Sequence, residues 1–189
     1  MKMETYRRIV DASFWLLLLT VIIWIVLWAL PRTHFGADGD WVPYKLRKQY
    51  AGYSLPHGSL PYESYYGSNY SASCGHSTIT VQASNNSDLI VIIKEDNSEG
   101  RVINHAYLKA GGSYSFSMPN GTYQVFFYSG KDWYPEKEMK GGIKGGFLTN
   151  EQFSKDSPQT LNNQELTYSL VKQKYGNFHA GQISGAEAF

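Results

Sequence analysis

The chain reads as a mainly β protein: an antiparallel β-sandwich preceded by a single transmembrane α-helix and a flexible linker. Three observations predict this. An uncharged run of 19 residues, ASFWLLLLTVIIWIVLWAL, occupies positions 12–30. From Ser77 onward, short apolar alternations are separated by Gly, Pro and Asn turn signals, the pattern of strands rather than helices. The composition, with 18 glycines, 15 tyrosines and 17% charged residues, suits a turn-rich β protein better than a helical bundle. Four segments follow: a tail over 1–11, the helix over 12–30, a Tyr/Gly/Ser/Pro-rich linker over 31–76, and a β-domain over 77–189.

A helix of 19 residues is roughly 28 Å long, near the thickness of a bilayer's hydrocarbon core. Trp15 and Trp28 stand near its ends, where indoles favour the headgroup region, and are the expected membrane anchors. A cleaved signal peptide would need a small-x-small site, and Trp28-Ala29-Leu30-Pro31 lacks one, so a signal anchor is the reading. Lys2, Arg7 and Arg8 before the run are matched within about 20 residues after it by Arg32, Lys45, Arg47 and Lys48, so the count alone does not set the orientation; the closer spacing before the run, with only Arg32 inside a dozen residues after it, tips the reading. The expected orientation therefore places the N-terminus in the cytoplasm and exports the C-terminal domain across the cell membrane.

The linker carries recurrent turn residues (Gly36, Gly39, Pro43, Gly52, Pro56, Gly58, Pro61, Gly67) and no sustained period. Seven tyrosines from Tyr44 to Tyr70 crowd into it, as in a sticky binding segment or a segment lying along the domain surface, and the plainer expectation is a flexible spacer with some local order. As a flexible chain, about 44 residues would reach roughly 36 Å.

The strands come next. Ile79 and Val81 alternate with threonines, and the continuous apolar run 89–93 suits a strand buried on both faces. Residues 97–100 make a hairpin loop into a strand over 102–109. Gly111-Gly112 turns into 113–118, where Tyr114, Phe116 and Met118 share a face. Pro119-Asn120-Gly121 predicts a tight hairpin, because Asn-Gly tolerates the positive φ such turns need, and 122–128 would return from it. Residues 129–163 read as an irregular excursion, and a last strand runs over 165–174.

The run AYLKAGGSYSFSMPNGTYQVFFY (106–128) resembles the hairpin core of PEGA-like and transthyretin-like sandwich domains, in which a G-x-Y-x-V strand follows a tight turn. Together with PNGTYQVFFYSGKDWYPEKEMKGGIKGGF and the EAF ending, residues 77–189 resemble a C-terminal domain of Gram-negative membrane-anchored proteins. The resemblance implies an accessory sandwich. It carries over no catalytic residue, and the PEGA tetrapeptide itself is absent.

The chemistry-bearing residues are sparse. Basic and acidic residues balance at 17 against 16, so nothing calls for nucleic acid. The single cysteine, Cys74, excludes an intrachain disulfide, and Cys74-Gly75-His76 supplies two ligands where a structural zinc needs four. The five histidines (34, 57, 76, 105, 179) lack metal spacing. Gly141-Gly142-Ile143-Lys144-Gly145-Gly146 lacks the Gly-Lys-Ser/Thr end of a phosphate loop, and no G-x-S-x-G elbow occurs. Sequons at Asn69, Asn85 and Asn120 are close in number to the roughly two expected by chance and carry little information.

No metal, cofactor or enzymatic activity is expected. The expected partners are the bilayer, through 12–30, and a protein or envelope component. The alternatives are a scaffold subunit of a membrane complex and, further off, a hydrolase with a non-local site. The interaction candidates are Trp133 and Tyr134 with Lys131 and Lys137, placed on the excursion as aromatic anchors among cations. The competing expectation is that these aromatics fold back to cover an open sheet face.

Overall fold

The structure, a computed structural model, describes residues 34–35, 41–70, 77–170, 181–183 and 185–189. The anchor run 12–30, with Trp15 and Trp28, lies outside them, and no helix among the described residues is long and apolar enough to cross a membrane. Two-residue strands β1 (His34–Phe35) and β2 (Trp41–Val42) precede the short helices α1 (Tyr44–Gln49) and α2 (Glu63–Tyr66). Then come β3 (Ser77–Gln82), β4 (Asp88–Glu95), β5 (Val102–Leu108), β6 (Ser113–Met118) and β7 (Gly121–Glu138). A 3-10 turn (Lys140–Gly142) leads to β8 (Lys144–Lys155), followed by β9 (Gln159–Leu161), β10 (Glu165–Ser169), β11 (Gly181–Gln182) and α3 (Gly185–Ala188).

Strands β3 to β11 form two stacked sheets, as a sandwich requires. The smaller has the order β10-β3-β6, and the larger runs β11-β8-β7-β4-β5, with β9 also on β7. Every pairing in the larger sheet is antiparallel, but β10 lies parallel to β3 (Leu166 opposite Ile79, Tyr168 opposite Val81), so the smaller sheet is mixed.

Strand β4 sits at the centre of the core, and its side chains divide by period two. Leu89, Val91 and Ile93 point between the sheets, where they meet Ile79, Val81, Phe116, Met118 and Phe127. Ile90 and Ile92 point the other way, into a second cluster with Tyr62, Tyr107, Phe126, Tyr128, Trp133 and Phe147. Fully burying an aliphatic or aromatic side chain is worth about 1.5–3 kcal/mol, so a strand apolar on both sides demands cover on both. The second face takes its cover from the segment before the sheets, through Leu55, Tyr62 and Tyr66, and from the C-terminus, through Ile183, Ala188 and Phe189.

Three sequence expectations are corrected here. Pro119-Asn120-Gly121 does not close a hairpin. β6 pairs with β3 and β7 with β4, so the turn carries the chain from one sheet to the other, and neither Asn120 nor Gly121 takes positive φ. The Asn120 side chain accounts for the sequence instead. Its Oδ1 accepts from Ser77 Oγ (2.8 Å) and Asn163 N (2.9 Å), tying both sheets to the β9–β10 turn. A Cβ on Gly121 would lie 2.8 Å from Tyr123 Oη, whose hydroxyl donates back to Pro119 O at 3.0 Å and locks the corner.

The excursion 129–163 is likewise not irregular, since β7 and β8 make one long antiparallel hairpin through it. Register shifts between Ser129 and Lys131 and between Tyr134 and Glu138 interrupt its alternation, and Pro135 falls outside the ladder in the second.

The linker, finally, is not a spacer over 41–70. Gly58 N donates to Tyr107 O (2.7 Å) and Tyr107 N to Ser59 O (2.8 Å), laying the segment along the open edge of β5. Asn69 continues this by donating to and accepting from the His105 backbone (2.9 and 2.8 Å), so the edge is capped against further pairing.

Candidate functional site

Strand β7 decides where the four interaction candidates go. Phe126 and Tyr128 face the second cluster, and five residues on, an unbroken strand would turn Trp133 to the opposite side. The register shift after Ser129 and the positive φ of Asp132 (60°) break the alternation, and Trp133 joins the same buried face. It is 2% exposed and meets the edges of Phe147 (5.4 Å) and Tyr107 (5.6 Å). Gly145, at φ 110°, makes room: a Cβ there would lie 2.6 Å from the indole.

Lys137 also turns inward. Its ammonium donates to Phe147 O (2.9 Å) and to the Glu151 carboxylate, which accepts the Tyr128 hydroxyl as well. Both members of this ion pair are largely buried. Trp133 and Lys137 are thus packing residues, a correction to their reading as exposed contact anchors.

Tyr134 and Lys131 remain at the surface, Tyr134 half-buried and Lys131 exposed. The Tyr134 ring meets Tyr50 at 4.9 Å, and Tyr50 meets Tyr53 edge-on at 5.9 Å. Polar contacts fix this turn on β7. Gly52 N donates to Asp132 Oδ1 (2.7 Å), Trp133 N donates to Tyr53 O (2.9 Å), and Thr149 Oγ1 holds the other Asp132 oxygen at 2.8 Å. Gly52 takes φ 72°, which lets the chain turn there.

Just before the turn, α1 carries Lys45, Arg47 and Lys48, and the sequence holds no acid between 41 and 53. None of these three cations pairs with a carboxylate among the described residues. Among the described residues Tyr44 and Tyr53 are the most exposed large rings, at 59% and 47%. A tyrosine and lysine patch, held on a rigid strand, is therefore the best-formed surface feature. Sequence reasoning marked Tyr134 and Lys131 but left Tyr44, Tyr53 and the α1 cations in the linker. The crowding of tyrosines in that stretch was the one available signal.

The buried polar groups serve as ties for the cover. Asp88 accepts from Ser54 Oγ and Tyr107 Oη, each at 2.5 Å, and from Ala110 N at 2.8 Å. Burial first and then this carboxylate raise the Tyr107 phenol above its ordinary range, and both hydroxyls donate to the carboxylate, so Asp88 ties Ser54 and β5 to β4. His57 has both ring nitrogens occupied, Nδ1 by Lys109 N (3.3 Å) and Nε2 by Ser113 O (3.1 Å). The Tyr62 hydroxyl donates to Gly145 O (2.9 Å), and burial pushes its pKa well up.

His105 is 1% exposed, stacks on Tyr62 (6.2 Å) and abuts the Tyr66 edge (5.7 Å), with no partner for its Nε2. Burial pushes its imidazole down to about 4, which keeps the ring neutral in the core.

Among the described residues no three His, Cys, Asp or Glu side chains gather as metal ligands, while Cys74 and His76 lie outside those residues. No family model matches the chain, and no curated protein or solved structure matches it either.

Proposed function

We propose that the protein is a single-pass, membrane-anchored, non-catalytic β-domain protein that acts as a binding or accessory module at the cell envelope. In this reading residues 12–30 span the cell membrane, the N-terminus is cytoplasmic, and the sandwich is exported. The observation that carries the binding role is the patch of Tyr53, Tyr134 and Lys131. Its rings are exposed or half-buried although three polar contacts hold the turn beneath them rigid. Preformed aromatic and cationic surfaces of this kind lose little conformational entropy on binding. The PEGA-like affinity belongs to the same proposal. It is supported by Gly121, Tyr123 and Val125 on the strand leaving the corner, with both side chains in the core between the sheets.

Two measurements test the reading. Alkaline carbonate extraction should leave the full chain in the membrane pellet, and its release with an intact N-terminus would refute the anchor. A photo-activated cross-linker at Tyr53 in native membranes should yield one dominant adduct by mass spectrometry. Diffuse labelling, equal to that at an exposed site such as Glu165, would refute the binding role.

A further inference from the structure

We propose that the basic face of α1 docks on the anionic headgroups of the same membrane that residues 12–30 span, and so holds the β-domain against the bilayer surface. The inference rests on the anchored reading and goes beyond it by assigning an occupant to α1.

The argument begins with charge. Lys45, Arg47 and Lys48 occupy three of six consecutive positions with no acid among them, in a chain whose overall charge is only +1. Arg47 and Lys48 suit the carbonyl end of a helix. Lys45 does not: it stands in the first turn, where amide dipoles repel a cation, and the turn holds no acidic residue and no side-chain cap. Folding gives no reason for that charge, whereas an anionic surface does.

The second element is aromatic. Tyr44, beside Lys45, is 59% exposed, and tyrosine rings favour the headgroup region. The third is distance along the chain. Ten residues, 31–40, separate the apolar run from Trp41, and ten residues extend to at most about 35 Å. Anchoring 12–30 therefore holds α1 close to a surface whose potential fades within about a Debye length. Where the leaflet facing α1 is anionic, each Lys or Arg near it contributes about fivefold in occupancy, so three contribute about a hundredfold.

The test uses the full chain with Cys74→Ser and a nitroxide on Gln49→Cys, an exposed position at the end of α1. It is reconstituted in nanodiscs of phosphatidylcholine alone or mixed with phosphatidylglycerol, and label depth is read by paramagnetic accessibility. The ratio of headgroup-buried to free label should rise about a hundredfold in the anionic discs. It should collapse in high salt and in the K45E/R47E/K48E variant. A label that stays in water in both lipids, in protein that resists carbonate extraction, overturns the docking and leaves the anchor standing. Release by carbonate overturns the anchor and the docking with it. Label–label broadening in discs holding two copies would assign the face to a second chain and overturn the lipid assignment. The triple variant's circular dichroism must match the parent, since Lys45 and Lys48 are exposed and Arg47 is only half-buried. If it does not, Lys45→Gln alone is read, with a loss of about fivefold expected.

Discussion

Replacing Trp133 by alanine separates a packing role from a recognition role. The indole is 2% exposed, wedged edge-on between Tyr107 and Phe147 and within 6.2 Å of Tyr62, with a glycine opposite its six-membered ring. Truncating a buried Trp costs about 3–5 kcal/mol once the residual cavity is included. Rings as large as Tyr107 and Phe147 collapse poorly into such a space, so the upper half of the range applies. For a chain of this size each kcal/mol lowers the melting temperature by about 2–4 °C, so Trp133→Ala should melt about 8–20 °C below the parent. The assay is far-ultraviolet circular dichroism of the full chain in detergent micelles, scanned with Trp133→Phe alongside. Phenylalanine keeps a ring against Tyr107 and should recover about half of the loss. Since Trp133 N holds Tyr53 O, the alanine variant should also be nicked faster by protease between residues 50 and 60. Unchanged melting combined with lost cross-linking at Tyr53 would refute the packing argument and restore the indole as a contact residue.

Other perturbations probe the remaining ties. The unfolded imidazole of His105 binds a proton near 6.5 and the folded one only near 4, so the unfolded state holds more protons between these values. Stability should be full above pH 6.5 and fall by about 2–3 kcal/mol as pH drops towards 4, a slope that His105→Gln should flatten in urea titrations. Asp88→Ala strands three donors, from Ser54, Tyr107 and Ala110, and should lower the urea-derived stability by about 2–4 kcal/mol; a loss under 1 kcal/mol would contradict the tie. Lys137→Met leaves the Glu151 carboxylate buried without its cation and should cost about 3–5 kcal/mol. Lys137→Met combined with Glu151→Gln should recover most of this, and a strictly additive double variant would argue against the pair.

What could be read in advance depended on whether a segment's partners were local. Run 89–93 announced a strand buried on both faces because every position in it is apolar, and β4 is that strand. The identity of its second cover was hidden. In 41–70 the residues that bury are spaced by the geometry of a surface-hugging chain, with Gly52, Gly58 and Gly67 all at positive φ between them, so no period of 2 or 3.6 could emerge. Tyr62, with no exposure at all, looked no different from Tyr65, which is 44% exposed. The hairpin of β7 and β8 was concealed by the breaks at Gly130, Asp132 and Pro135, the first two of which also turn Trp133 inward. Asn120-Gly121 misled for a related reason: its side-chain partners, Ser77 and Asn163, lie more than forty residues away, and local turn statistics do not contain them. The surface placement of Tyr134 and Lys131 was legible because aromatics beside cations on a turn-rich stretch are conspicuous in sequence, but their neighbours on α1 belonged to a stretch without strands.

The packing of 41–70 also changes what an anchored domain could reach. A flexible linker over 31–76 would let the sandwich roam roughly 36 Å from the headgroups. With Tyr62 inside the core and Asn69 stitched to His105, only the ten residues 31–40 stand between the apolar run and Trp41, which caps the connection at about 35 Å even when fully extended. On the anchored reading, partners distant from the bilayer fall outside its range, and the described surfaces nearest the anchor along the chain are α1 and the turn at Tyr53. The same segment supplies the cover of the second core face, so displacing it exposes Ile90, Ile92 and Phe126 and costs several buried side chains at about 1.5–3 kcal/mol each. Lengthening the connection by inserting Gly-Ser repeats after residue 36 should therefore leave the melting temperature within about 2 °C of the parent while weakening cross-linking at Tyr53 to any membrane-bound partner. The same insertion after Gly67, between the Tyr62 and Asn69 ties, should lower the melting temperature. If instead the insertion at Gly67 is silent in melting, the segment is not part of the core, and the short reach argued from it fails as well.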